Sequence, residues 1–328
     1  MDLPDALQAA IDRELARMPA GALGAAVSAL SEAYAQARPS AIADQAAHAA
    51  YLAVRMPATY AAVCAVLAEV PRDVLDGVRS MLDLGAGPGT ATWAALATCP
   101  SIVEAAQIDR SRALLDIGAR LGASLLADRH VALAQHVADV GSPGEWPSAD
   151  LVVSAYALAE LSPGGRTTLV SAAWRASLRA LVLVEPGTPA GFQHILEART
   201  ALARAGARFI APCPHEEPCP LRAVTHADDW CHFSVRVPRT RRHRQLKGGS
   251  LGYEDEKFAY LVAARADASP ERLARILRHP RIEKGRIGLT LCMPDGVERV
   301  VITKRDAAWS AARKARWGDA WRTTPPGD

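Results

Sequence analysis

The sequence predicts an α/β fold: a doubly wound parallel sheet, entered through a helical region and followed by a cysteine-rich loop and a β-hairpin. Three observations carry that expectation. A short apolar run at Met81–Leu84 ends in the glycines Gly85, Gly87 and Gly89 and leads into a helical stretch from about Ala91, a strand–loop–helix unit. Apolar runs then alternate with helical stretches as far as Gly187, as in a parallel sheet with its ligand at the carboxyl ends of the strands. Ala-rich segments such as Ala41–Val54 precede the sheet and have high helix propensity.

Residues 1–78 form the expected helical region, with Ser40 a possible N-cap and an interruption at Pro57. Arg55, just before it, is read as a helix cap or a ligand contact. Residues 79–205 make the nucleotide-binding type of domain. Its glycines let the backbone approach a ligand, and the following helix N-terminus favours polar or anionic groups. Asp83 precedes the loop. Strand two, Ala105–Ile108, ends at Asp109, where a carboxylate can accept two ribose hydroxyls. Strand three ends at Asp139, strand four runs Asp150–Tyr156, and strand five runs Ala180–Gly187. Asp83, Gly85, Gly87, Gly89, Asp109, Asp139 and Ser154 are the candidate cofactor residues. After strand four, Ser154-Ala-Tyr156-Ala-Leu-Ala-Glu160 lacks the Asn/Asp-Pro-Pro-aromatic motif that orients a target amine, and no Pro-Cys nucleophile replaces it. Catalytic residues are therefore unassigned, and Tyr156 and Glu160 are equally well read as structural.

Residues 206–328 contain the most unusual stretch. Cys213 and Cys219 each sit between prolines, so no helix interior or central strand fits there, and Cys231 follows. Thiolates converging on a metal would shape such a loop. No CxxC knuckle is present, and Cys-Pro neighbours suit an iron–sulfur cluster better than zinc. Cys292, on the expected hairpin of Gly285–Met293 and Val297–Thr303, is the natural fourth ligand, with His215 and His232 as alternatives that would also suit zinc. Cys64 and Cys99 read as buried small hydrophobes. Arg236, Arg239, Arg241, Arg242, Arg244 and Lys247 follow with no acid among them, a strip suited to the phosphates of folded RNA. Beyond it, Pro270–Leu277 is expected as a short helix and Trp309–Trp321 as a basic helical tail.

The 328 residues carry a net charge of only +3, so this strip is a local feature. Acids in the first turns argue against a secretory or transit leader, and no apolar run is expected to span a membrane. A cytoplasmic monomer without membrane contact is the expectation.

The glycine loop with Asp83 resembles motif I of class I S-adenosylmethionine-dependent methyltransferases. In that family Asp83 orients the loop and the amino-acid end of S-adenosyl-L-methionine, and Asp139 lies where adenine is contacted. More specifically, the sequence is similar to the ribosomal small-subunit methyltransferase-like family (Rsm-twenty-two type), whose mitochondrial members act as assembly factors. The similar segments are Leu82–Thr90, Glu185–Thr188, Pro212–Leu221, Trp230–Phe233 and Gly252–Phe258. The resemblance implies a methyltransferase fold, association with the small ribosomal subunit and its RNA, and a 4Fe-4S cluster on Cys213, Cys219, Cys231 and Cys292. Either RNA methylation or a non-catalytic RNA-binding assembly role with a vestigial cofactor pocket follows from it.

Overall fold

The computed structural model describes residues 2–35, 44–223, 229–247, 250–265 and 273–322. The helical region consists of α1 (Asp5–Ala16), α2 (Ala20–Ala35), α3 (Gln45–Ala50), a π-helical turn at Tyr51–Arg55, α4 (Met56–Ala68) and α5 (Arg72–Leu75). Ser40 lies outside the described residues; Asp44 caps α3 by accepting from the Ala47 amide. Pro57 does not break the chain here. It falls directly after the wider π turn, whose i→i+5 pairing ends at Met56, so the helix passes through a residue that cannot donate. The continuous helical stretch Gln45–Ala68, 24 residues, is long and apolar enough to cross a membrane by length and composition. That differs from the sequence expectation, but 78% of its most apolar window is buried, so it is a core element of this fold.

The sheet begins with β1 (Ser80–Leu84), α6 (Thr90–Thr98), β2 (Glu104–Asp109), α7 (Arg112–Arg129), β3 (Ala132–Val137) and β4 (Ala149–Ala155). It continues with α8 (Pro163–Ala176), β5 (Ser177–Pro186), α9 (Pro189–Arg204), β6 (Arg208–Ala211), β7 (Phe233–Pro238), α10 (Arg241–Lys247) and β8 (Tyr253–Ala264). The strand order is β3-β2-β1-β4-β5-β8-β6, with β7 also on β8. β1 to β5 are mutually parallel, and β8 runs antiparallel to β5. This is the expected methyltransferase-like doubly wound order, reversing direction after β1 so that a crevice opens at the strand ends. Alternate residues of β1 enter opposite cores: Met81 packs with the N-terminal helices, and Leu82 and Leu84 pack with α8 and α9.

β8 begins at Tyr253, well before its apolar run Leu261–Ala264, which the sequence marks as a strand. Its charged half, Glu254–Lys257, pairs with β7, while its apolar half lies between β5 and β6. The C-terminal part is a second sheet rather than a lone hairpin: β9 (Ala274–Ile276), β10 (Arg281–Glu283), β11 (Arg286–Met293), β12 (Gly296–Thr303) and, after α11 (Trp309–Ala312), β13 (Ala320–Trp321). The helix expected at Pro270–Leu277 is corrected where described. Ala274, Arg275 and Ile276 are all buried between β11 and β13, and a short apolar run carries no period to separate strand from helix. The expected helical tail likewise ends after one turn. The helix stops at Ala312; further on Gly318 turns the chain at φ +97°, and Ala320–Trp321 adds an edge to β9.

Candidate functional site

The crevice at the end of β1 is built from the glycine loop. Gly85, Gly87 and Gly89 have φ of +76°, +55° and +77°, a region that side chains disfavour. The amides of Gly85 and Ala86 donate to Ile108 O, and the Gly87 amide donates to Asp109 Oδ2 at 2.8 Å. The Ser111 amide donates to Asp109 Oδ1 at 2.8 Å, so each oxygen keeps acceptor capacity toward the crevice. Asp83 is 1% exposed and accepts from the Thr92 amide and hydroxyl at 3.0 and 2.7 Å, tying the strand to α6. Burial pushes its carboxyl up to about 7.

That shift has a sign. The folded state holds a proton that the unfolded chain releases near pH 4, so Asp83's contribution to stability is full below that pH and is lost as pH rises toward 7. Asp83→Asn cannot ionise. Its melting temperature relative to the parent is expected to rise between pH 4 and pH 8; a pH-independent difference would refute the buried, protonated carboxyl.

Asp139 lines the same crevice, accepting from the Gly141 amide and the Ser142 hydroxyl at 2.9 and 3.2 Å. Ser154 does not reach it: the buried hydroxyl donates to Leu84 O at 2.9 Å. Tyr156 takes a φ of +61°, rare for a bulky residue, and its hydroxyl donates to Glu256 Oε1 at 2.9 Å. Arg55 grips the same carboxylate through Nη1 and Nη2 at 3.2 and 2.8 Å. Glu160 lines the crevice with its carboxyl pushed up to about 7 by burial, which Arg110 at 3.2 Å partly opposes.

A second cavity lies beneath α9. Cys213, Cys219, Cys231 and Cys292 all line it, with Phe192, Tyr260 and Leu277 among its apolar walls. Cys213 follows β6, Cys219 precedes a 3-10 turn at Pro220–Ala223, Cys231 precedes β7, and Cys292 comes from β11. Burial and then the neighbouring thiols push Cys231 well up and Cys292 to about 12. Two arginines flank the cavity. Arg199, 4% exposed, donates to Cys213 Sγ at 3.4 Å and to the carbonyls of His215 and Glu217 at 2.8 and 2.6 Å. Arg275, 5% exposed, bonds Glu69, Gly318 O and Pro212 O. The alternative ligands stand elsewhere: the His232 ring stacks on Trp230 at 4.8 Å, and neither it nor His215 lines the cavity. Among the described residues, no group of three His, Cys, Asp or Glu is gathered closely enough for one metal ion. Cys64 and Cys99 are buried in the helical core.

The arginine strip meets acids from β8. Arg236 pairs with Asp255 at 3.0 Å, and Arg239 with Glu254 at 2.8 Å; His243 lies 3.4 Å from the same glutamate. Arg244 is exposed, while the side chains of Arg241, Arg242 and Lys247 lie outside the described residues. Sequence reasoning missed Arg199, Arg275 and Glu256. None sits in a local motif that names its partner, because each acts across the fold.

Residues 45–322 match the family model described as "Mitochondrial small ribosomal subunit Rsm22". The chain is 30% identical over 311 residues to Ribosome assembly protein METTL17, mitochondrial, of Homo sapiens, covering 82% of this chain and 61% of that protein. It is 24% identical to Rsm22-cox11 tandem protein 2, mitochondrial, of Schizosaccharomyces pombe, over 82% of this chain and 42% of that one. The chain thus spans less than two thirds of the length of either. Among solved structures, an O-methyltransferase family protein from Burkholderia thailandensis aligns at a TM-score of 0.43 and 14% identity, over 73% of this chain and 68% of that chain. These matches overturn the cytoplasmic expectation, because the family and both relatives are described as mitochondrial. The acids that suggested it belong to α1, whose Leu7, Ile11 and Leu15 are buried in the fold, so they report a folded helix and not a location.

Proposed function

The chain belongs to the family described as Mitochondrial small ribosomal subunit Rsm22, and on that premise we infer that it is a methyltransferase-fold factor that binds small-subunit ribosomal RNA during ribosome assembly. S-adenosyl-L-methionine would sit in the glycine-loop crevice, held by the Gly87 turn, Asp109 and Asp139. An iron–sulfur cluster would sit on Cys213, Cys219, Cys231 and Cys292. The observation that carries the second part is the convergence on one buried cavity of three cysteines from the connection between β6 and β7 and a fourth, Cys292, from β11.

The donor set fits such a group. Such a cluster would take four thiolates, and Cys213, Cys219, Cys231 and Cys292 all line this one cavity. Its negative charge would answer Arg199, a buried cation bonded to a sulfur and two carbonyls. When bound, the cluster would supply the cross-links that the proline-rich loop cannot obtain from backbone ladders. Cys213, Cys219 and Cys231 position that loop, and Cys292 ties it to the second sheet.

A non-catalytic role is favoured by the end of β4. The Ser154 hydroxyl and the Tyr156 phenol are both engaged inside the protein, so neither is presented to a methyl acceptor. With labelled S-adenosyl-L-methionine and small-subunit particles from cells lacking the protein, the cofactor is expected to be retained without transfer of label to RNA. Turnover would establish a methyltransferase instead. Anaerobic purification is expected to give iron and sulfide with a broad visible absorbance, and zinc in their place would remove the cluster assignment.

A further inference from the structure

The second sheet has one apolar face and one face of quite different chemistry. Ile287, Leu289 and Leu291 of β11 are buried with Ile302 of β12, so Arg286, Gly288 and Thr290 share the opposite face. The register sets Arg281 of β10 against Gly288, and Arg299 of β12 against Thr290. Three exposed arginines therefore stand around a residue with no side chain. A Cβ at Gly288 would meet only the Arg281 Cβ, at 3.7 Å. The result is a groove of about 420 Å³ walled by Arg281, Arg286 and Arg299, with Asp229 and Glu283 at its margin, and floored by Gly288, Thr290 and Val301.

The charge of this face is cancelled only in part. Arg278 pairs with Asp229 and Arg286 with Glu283, but among the described residues no carboxylate lies within ion-pair distance of Arg281 or Arg299. Between residues 273 and 322, ten exposed arginines and lysines face five exposed acids, on a chain whose net charge is +3. Two of those acids are occupied as turn caps: Asp306 accepts from Thr303, and Asp319 from the Arg316 amide.

We propose that this groove docks the sugar–phosphate backbone of structured RNA. The proposal rests on the ribosomal reading above and gives it an interface. Guanidinium forks match phosphate oxygens, and arginines on strands either side of β11 stand roughly 10 Å apart, close enough to follow one strand of phosphates. The bare floor at Gly288 lets that backbone lie directly on the sheet. Among the described residues that line the groove only His279 carries an aromatic ring, which suits the backbone of a folded helix better than unstacked bases. Cys292 continues the same face of β11 two residues beyond Thr290, so the groove is anchored at the cysteine cavity.

The test uses the full chain and a short A-form RNA hairpin titrated across a range of potassium chloride concentrations. Arg281→Gln, Arg286→Gln and Arg299→Gln together are expected to weaken binding about tenfold or more and to lower the log–log salt slope by about two units, at roughly 0.7–0.9 per lost phosphate contact. Melting temperature and cofactor affinity should stay unchanged. Gly288→Leu, which fills the floor without altering charge, should also weaken binding. An unchanged slope in the triple variant overturns the proposal, as does full binding by a folded Gly288→Leu. A loss confined to Arg236→Gln and Arg244→Gln would overturn the groove while leaving the ribosomal reading standing. A parent protein that ignores the hairpin but sediments with cardiolipin-containing vesicles would overturn both.

Discussion

Cys231→Ser is expected to strip the protein of iron and to weaken RNA binding together, while cofactor affinity stays close to that of the parent. Cys231 sits where the loop turns into β7, and its thiol faces the cavity shared with Cys213, Cys219 and Cys292. Serine is a poor ligand there, and a buried hydroxyl without a partner adds about 1–3 kcal/mol of cost. The prolines around Cys213 and Cys219 leave little backbone ladder to hold the loop, so loss of the shared group should loosen it and the second sheet as one unit. The arginines of that sheet would then lose their fixed spacing although none had changed. The glycine-loop crevice is built on β1, β2 and α6, away from the cavity, and should be spared. Iron content, RNA binding and cofactor binding in one preparation check all three. Retained iron with an unaltered spectrum would remove Cys231 from the ligand set; loss of cofactor affinity would show that the two sites are not independent.

Gly87→Val is expected to abolish S-adenosyl-L-methionine binding in a protein that still folds. Gly87 sits at φ +55° in the crevice wall, and nothing lies within 4 Å of a Cβ built there. The backbone strain costs about 1–2 kcal/mol for a non-glycine residue. The added isopropyl group projects into space the ligand needs, so affinity should fall at least about a hundredfold, or about 2.8 kcal/mol. Gly89 makes the contrast. Its Cβ would fall 2.3 Å from Gln107 Nε2 and 2.9 Å from Trp93, so Gly89→Val should damage folding itself. Calorimetry alongside thermal unfolding separates the two, and normal cofactor binding by Gly87→Val would remove the crevice assignment.

The glycine loop, the strand ends at Asp83 and Asp109 and the expected sheet were legible because each is encoded within a few residues. A strand followed by glycines that must take positive φ has few alternatives, and the structure finds all three glycines there. The short elements after residue 265 were not legible, because three or four apolar residues carry no period and only their neighbours decide between strand and helix. Likewise Ser154 sits near the end of the expected strand, yet its hydroxyl turns to Leu84 O and away from the crevice.

What this sequence determined by itself follows from covalent chemistry. Prolines on both sides of Cys213 and Cys219 forbid a helix interior or central strand, and the run from Arg236 to Lys247 contains no acid. What only the tertiary structure decided is which groups meet. The strip looked uncompensated because its acids, Glu254 and Asp255, arrive on β8 and pair across the sheet with Arg239 and Arg236. The three arginines of the groove stand five and thirteen residues apart and form no run. Antiparallel pairing of β10, β11 and β12 gathers them around Gly288, since register sets cross-strand neighbours regardless of their separation in sequence.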